Sequence, residues 1–219
     1  MASTTEENYL KALFNLMNDD GEMSLSDLGK ELEVSKPTVT SMMKNLHAKG
    51  LVLYQRYKPI KLTTKGKKSA AMIVRKHRLT EMFLVKKLGF GWEEVHDVAE
   101  QIEHIKSEKF FSRMDELLGF PTVDPHGSPI PDKNGKIQKI NHVPLGSCTE
   151  GETVMFVALE HSPRELLDFL NSKDLELGIR IKVKKLFAFD ESVEVTYEGH
   201  RSEMLSAKVA QAILVQRLV

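Results

Sequence analysis

The sequence predicts a mainly α chain that ends in a small β domain, and three observations carry that reading. Between Leu10 and about Leu118 apolar residues recur at helical spacing in several segments, interrupted by one short hairpin. Pro121, Pro125, Pro129, Pro131 and Pro144, with Gly127 and Gly135, then break the pattern and mark a linker. From about Val143 onward apolar and polar residues alternate, as in strands with one buried face. The expected domains are residues 1–68, 69–120 and 145–219, with 121–144 as a Pro-rich linker. At 219 residues and 41% hydrophobic content the chain can build real cores. No apolar run approaches the ~20 residues of a membrane span, and MASTTEENYL lacks the features of a signal peptide, so no membrane and a cytoplasmic location are expected. The single Cys148 excludes an internal disulfide framework and any Cys-rich zinc module.

Thr4 with Glu7 forms a capping-box pattern ahead of a first helix whose apolar residues are Leu10, Leu13, Phe14 and Met17. A short helix over 24–32 follows a turn at Gly21. After a brief turn, Ser35 can cap a longer helix with Pro37 in its first turn. Val39, Met42, Met43 and Leu46 give that helix an apolar face, which leaves Lys36, Thr38, Thr40, Ser41 and Lys44 outward. Gly50 ends it, and residues 51–63 read as two short strands around a basic tip. Short helix, tight turn, second helix and hairpin form the winged helix-turn-helix plan.

Charge agrees with that plan. The formal net charge is zero, yet from Val34 to Thr80 there is no Asp or Glu, while twelve Lys and Arg lie in the same stretch. A cationic block of this kind suits a surface that neutralises phosphates. Ser35, Lys36, Pro37, Thr38, Thr40 and Ser41 are the residues expected near bases or adjacent phosphates of double-stranded DNA. Lys44, Arg56 and Lys58 are expected to hold the backbone.

A helix is expected from Thr64 to Leu88, a break at Gly89-Phe90-Gly91, and a second helix from Trp92 to about Leu118. Apolar residues on the first exceed what one face needs, which suggests a homodimer suited to a palindromic operator. His77 and Glu81 stand at i,i+4. On the second helix His96, Glu100, Glu103 and His104 fall within an arc of roughly 100° at ~100° per residue. Imidazole plus carboxylate without thiolate suits Mn(II), Fe(II) or Zn(II). The competing reading is a solvated face. Against it, Glu100 and Glu103 are like charges at i,i+3 with no Lys or Arg between His96 and His104, a repulsion that a divalent cation would reverse.

In the last domain, strands are read at 153–159, 180–186, 192–197 and 212–215, with one helix from Pro163 to about Asn171. A small barrel is the expectation.

Six ordered segments carry a family resemblance: 5–10, 35–40, 62–66, 75–79 with Glu81, 95–104 and 125–131. The chain resembles the DtxR/MntR family of iron- and manganese-dependent transcriptional repressors over nearly its whole length. The resemblance implies an SH3-like, FeoA-type C-terminal domain and two neighbouring metal positions per subunit. His77, Glu81 and His96 match the ancillary position. Glu100, Glu103 and His104, with Asn8 on the first helix, match the primary one. Iron-responsive members usually carry Cys at the position of Glu100 and Met at that of Asn8, so the resemblance favours Mn(II) over Fe(II). Manganese-type members commonly present acids at the positions of Asn8 and Lys11; here Asn8 would donate an amide oxygen and Lys11 would not ligate.

His126 reads as a turn residue, and Glu160, His161 and Glu165 as surface residues. The expected function is a metal-dependent DNA-binding repressor of metal-uptake genes, not an enzyme, in which the metal ties Asn8 to the 100–104 segment. The alternatives are a winged-helix regulator answering an organic ligand and a metallohydrolase, although no His-Glu-x-x-His motif is present.

Overall fold

The computed structural model describes residues 2–18, 21–138 and 141–218. It divides into two compact units, one of Met1–Thr80, Ala99–Phe120 and Ile130–Gln138, the other of Glu81–Val98, Pro121–Pro129 and Lys139–Val219.

In the first unit α1 (Thr4–Leu16) is capped by Ser3, whose hydroxyl accepts from the Glu6 amide while the Glu6 carboxylate accepts from the Ser3 amide. The box therefore lies one residue earlier than the expected Thr4 and Glu7. The shift has a consequence for packing, because Glu6 is now buried and accepts from Asn45 Nδ2 (2.6 Å) and from Lys49. After β1 (Glu22–Met23), Ser24 caps α2 (Leu25–Glu31) and Ser35 caps α3 (Lys36–Ala48), with Pro37 in the first turn. Val39, Met43 and Leu46 are fully buried with Leu10, Leu13 and Leu28, so the apolar stripe of α3 faces the core. Gly50 adopts φ +68°, a left-handed turn that lets Leu51 N reach Leu46 O at 2.9 Å and stops α3. The hairpin of β2 (Val52–Leu53) and β3 (Ile60–Leu62) is the wing. β1 pairs with β3 on its other side, completing an antiparallel sheet in the order β1-β3-β2; a two-residue strand carries too little alternation to be foreseen.

α4 (Thr64–Leu88) runs as expected. The helix expected from Trp92 to Leu118 is instead two, α5 (His96–Ile102) and α6 (Glu108–Leu117). Ser107 separates them, since its hydroxyl accepts from Phe110 N (3.2 Å) and starts a new helix. Glu103 and His104 thus stand in the turn just beyond α5, although Glu103 N still reaches Ala99 O at 2.9 Å. Arg75 of α4 forms a buried ion pair with Asp115 of α6 and donates to Pro131 O (2.7 Å), which holds three chain segments together.

The second unit is built on a six-stranded antiparallel sheet. Its strands are β4 (Val143–Pro144), β5 (Thr153–Leu159), β6 (Arg180–Leu186), β7 (Val193–Tyr197), β8 (His200–Leu205) and β9 (Ile213–Arg217), in the order β4-β9-β5-β6-β7-β8. α7 (Arg164–Asn171) follows β5 and α8 (Ala207–Ala212) precedes β9. Phe156, Ile181, Val183, Val195 and Val215 form the core with Leu145 and Leu170. β8 and α8 are additions to the expected pattern. β8 occupies an end of the strand order and buries fully only Leu205, so its sequence carries no clean alternation.

Candidate metal centres and nucleic-acid interface

The winged-helix face is basic and open. Ser35, Lys36, Pro37, Thr38, Ser41 and Lys44 are exposed, and Thr40 is half-buried. Arg56 and Lys58 are exposed at the turn of the wing, where the Arg56 guanidinium lies 4.9 Å from the ring centroid of exposed Tyr57. Glu6 joins α1 to α3 from beneath. The hydrogen bond from Lys49 is the main cause holding its carboxyl below the usual range, against the opposing effect of burial.

Within the first unit, His77, Glu100 and Glu103 bring ligand atoms within 4.8 Å of one another. Glu103 is fully buried. Its Oε2 accepts from His77 Nδ1 at 2.6 Å and from Lys11 Nζ at 3.0 Å. Glu100 also pairs with Lys11. His104 donates from Nδ1 to Glu7 Oε2 at 2.7 Å, which leaves Nε2 facing Glu103 Oε1 at 3.7 Å. A carboxylate that fixes one imidazole nitrogen and frees the other for a cation is the usual support of a metal-ligating histidine. Asn8 Oδ1 is buried with no hydrogen-bond partner among the described residues. A buried carbonyl oxygen left unpaired is unfavourable unless something accepts its lone pair, and a divalent ion does.

Within the second unit, buried Glu81 lies 3.5 Å from Nδ1 of exposed His96. Glu81, Asp124 and His126, all buried, offer ligand atoms within 4.8 Å of one another. His126 donates from Nε2 to Trp92 O (2.9 Å) and stacks on the Trp92 ring, which places its Nδ1 4.0 Å from Glu81 Oε2 and from Asp124 Oδ1. His126 is thus a buried group as well as a turn residue. Gly127 (φ +84°) lets the turn press against β5, for a Cβ there would meet Val157 O at 2.2 Å. Glu160, His161 and Glu165 are exposed.

The structure therefore groups Asn8, His77, Glu100, Glu103 and His104 in one unit and Glu81 and His96 in the other, with His77 one turn before Glu81 along α4. Glu7, Asp124 and His126 join these groups without having been singled out as ligand-shell residues. A proline-rich loop that carries both an acid and a histidine two residues apart is the only sequence signal for the last two.

Fold and site define a class: a winged helix-turn-helix protein with a histidine–carboxylate cluster beside its first helix. Comparison with known proteins narrows it. The model of the iron dependent repressor N-terminal DNA binding domain matches residues 1–60, that of the iron dependent repressor metal binding and dimerisation domain 63–132, and that of the FeoA domain 143–217. The iron-dependent repressor IdeR of Mycobacterium leprae is 29% identical over 98% of this chain and 97% of its own. The HTH-type regulator MntR of Bacillus pumilus is 32% identical over 55% of this chain and 83% of its own. A solved manganese-dependent transcriptional repressor in complex with manganese superposes with a TM-score of 0.88 at 32% identity, covering 97% of this chain and 100% of that one. The chain belongs to the DtxR/MntR family of metal-dependent transcriptional repressors, which are regulators and not enzymes. No helix among the described residues is long and apolar enough to cross a membrane.

Proposed function

We propose that the chain is a manganese-responsive repressor that binds a palindromic operator as a homodimer in the cytoplasm, with Fe(II) as the second-ranked corepressor. The observation that carries this reading is the convergence of buried His77 and Glu103 with half-buried Glu100, in the same unit as the unpaired Asn8 oxygen. Imidazole, carboxylate and amide oxygen with no thiolate form a donor set for a hard to intermediate ion, which favours Mn(II). Asn8, Glu100, Glu103 and His104, with His77 alongside, would hold the primary ion. Glu81 and His96, with Asp124 and His126 as further donors, would hold a second. A bound ion would supply positive charge that neutralises the Glu100 and Glu103 carboxylates.

The remaining steps belong to the chain. Glu7 orients His104 through Nδ1, so the first helix contributes to the site through both Glu7 and Asn8. One residue earlier, Glu6 grips Asn45 and Lys49 at the end of α3. Three consecutive residues of α1 thus face two ways, and a restraint on α1 would reach the DNA-reading helix through the hydrogen bonds of buried Glu6. Corepression requires only that the restrained arrangement bind DNA better than the unrestrained one. Ser35, Lys36, Pro37, Thr38, Thr40 and Ser41 would then meet the major groove, while Lys44, Arg56 and Lys58 hold phosphates. We assign the C-terminal sheet the SH3-like, FeoA-type form, although among the described residues its strand order runs from β4 to β8 without closing into the barrel expected from the sequence.

Calorimetric titration of purified protein with Mn(II), Fe(II) and Zn(II), paired with operator gel shifts at each metal level, tests the reading. Saturable Mn(II) binding that tracks operator affinity is expected; absence of saturable binding removes it.

A further inference from the structure

Lys11 stands on the same face of α1 as Glu7 and Asn8, one turn on, and its side chain is 12% exposed. Its ammonium is paired with Glu100, lies 2.9 Å from Glu103 Oε1 and donates to Glu103 Oε2 at 3.0 Å. These are the two carboxylates assigned to the primary ion. Glu103 has no solvent contact, so its charge must be balanced by protein groups or by a bound cation. The structure shows which protein group does so.

We propose that Lys11 is a tethered cation that competes with the divalent ion for Glu100 and Glu103, and so sets the metal level at which the protein responds. The inference rests on the metal reading given above. One ammonium and one divalent ion cannot both lie between the same carboxylate oxygens, because like charges at that separation repel. The ion therefore binds only the fraction of molecules in which Lys11 has swung out. Apparent affinity falls by that fraction, as for any ligand that needs a minor conformer. Lysine suits the role. Its flexible four-carbon stem can carry the charge to solvent while the backbone of α1 stays in place. The arrangement also explains how the chain can keep buried Glu103 next to half-buried Glu100 without unfolding when metal is scarce. A neutral residue at position 11 would leave the acids unbalanced until an ion arrived, and would bind that ion more tightly.

The test uses the full chain with Lys11→Met, Lys11→Gln and Lys11→Arg, titrated with Mn(II) by calorimetry at one pH and ionic strength, each first checked for native circular dichroism. Met and Gln should tighten Mn(II) binding about tenfold, the ratio expected if Lys11 is paired in about nine molecules in ten. Arg, which keeps the charge, should not tighten it. In chelator the Met and Gln variants should melt below the parent, and saturating Mn(II) should close that gap. Gln, which keeps length and polarity, decides the matter if the Met variant does not fold. Equal affinity in all four proteins, or weaker binding in Met and Gln, overturns the role of Lys11 while leaving the metal site standing. No saturable binding in any of the four overturns the metal reading and this inference together.

Discussion

Replacing Glu103 by Gln removes the one fully buried charge of the first cluster while keeping its shape. Glu103 accepts from His77 and Lys11, both nearly buried, so its charge acts in a medium that screens poorly. Removing one partner of a buried pair commonly costs about 3–5 kcal/mol. Two features lower the figure. Gln retains a carbonyl oxygen for one donor, and Glu100 still pairs with Lys11. A loss of about 2 kcal/mol is therefore expected, which for a chain of this size corresponds to a melting point lower by about 4–8 °C. Scanning calorimetry in chelator measures that shift. The same variant should also lose most of its response to Mn(II). A ligand at about 100 times its dissociation constant stabilises a protein by about 2.7 kcal/mol, and a site without Glu103 should gain far less. Glu103→Gln that melts with the parent in chelator and rises with it in Mn(II) would refute both the structural and the ligating role.

Glu6 predicts a pH dependence. Its carboxyl is held low in the folded chain chiefly by Lys49, so the stability it contributes is present above the ordinary carboxylate value of about 4.3 and is lost as pH falls through the lowered folded value. The melting-point gap between the parent and Glu6→Gln should be full at neutral pH and close in that acid window; a gap independent of pH would contradict the pairing. Alanine at Lys44, Arg56 and Lys58 should flatten the plot of log affinity for operator against log salt by about 0.9 for each phosphate contact removed. Fluorescence anisotropy at several salt concentrations reads the slope, and an unchanged slope would place these residues away from the backbone. Gly127→Ala combines a positive φ with a Cβ that has no space beside Val157 O, so a loss of about 2 kcal/mol or more is expected in thermal unfolding. Parental stability would mean the turn is not pressed against β5.

What could be read in advance follows from where each signal resides. α1 to α4 and the wing are legible because local chemistry points the same way as the fold. Ser24 and Ser35 cap, Pro37 tolerates a first turn, Gly50 stops a helix, and the apolar spacing of Val39, Met43 and Leu46 faces a core. The stripe from His96 to His104 reads as one helical face, yet the helix ends at Ile102 and the last two members lie in the turn beyond it. Helical phase is thus a weaker reason for their proximity than the bonds they make. Those bonds are invisible to spacing, since Glu7 and His104 are 97 residues apart and His77 and Glu103 are 26 apart. The same holds for Asp124 and His126, whose loop reads as a linker until it is seen to bury its side chains beside Glu81.

Lys11 is the sharpest case. By residue type it is a lysine where the resemblance to manganese regulators implies an acid, and that alone argues only for one ligand fewer. Geometry gives it a positive role, because its ammonium reaches both Glu100 and Glu103 from α1, the helix that also reaches His104 through Glu7 and α3 through Glu6. The acids Glu100 and Glu103 and the DNA-reading helix are therefore both contacted by a single helix of thirteen residues. On the proposed reading, a change in which cation these acids face would reach α3 through the pairing of Glu6 with Asn45 and Lys49.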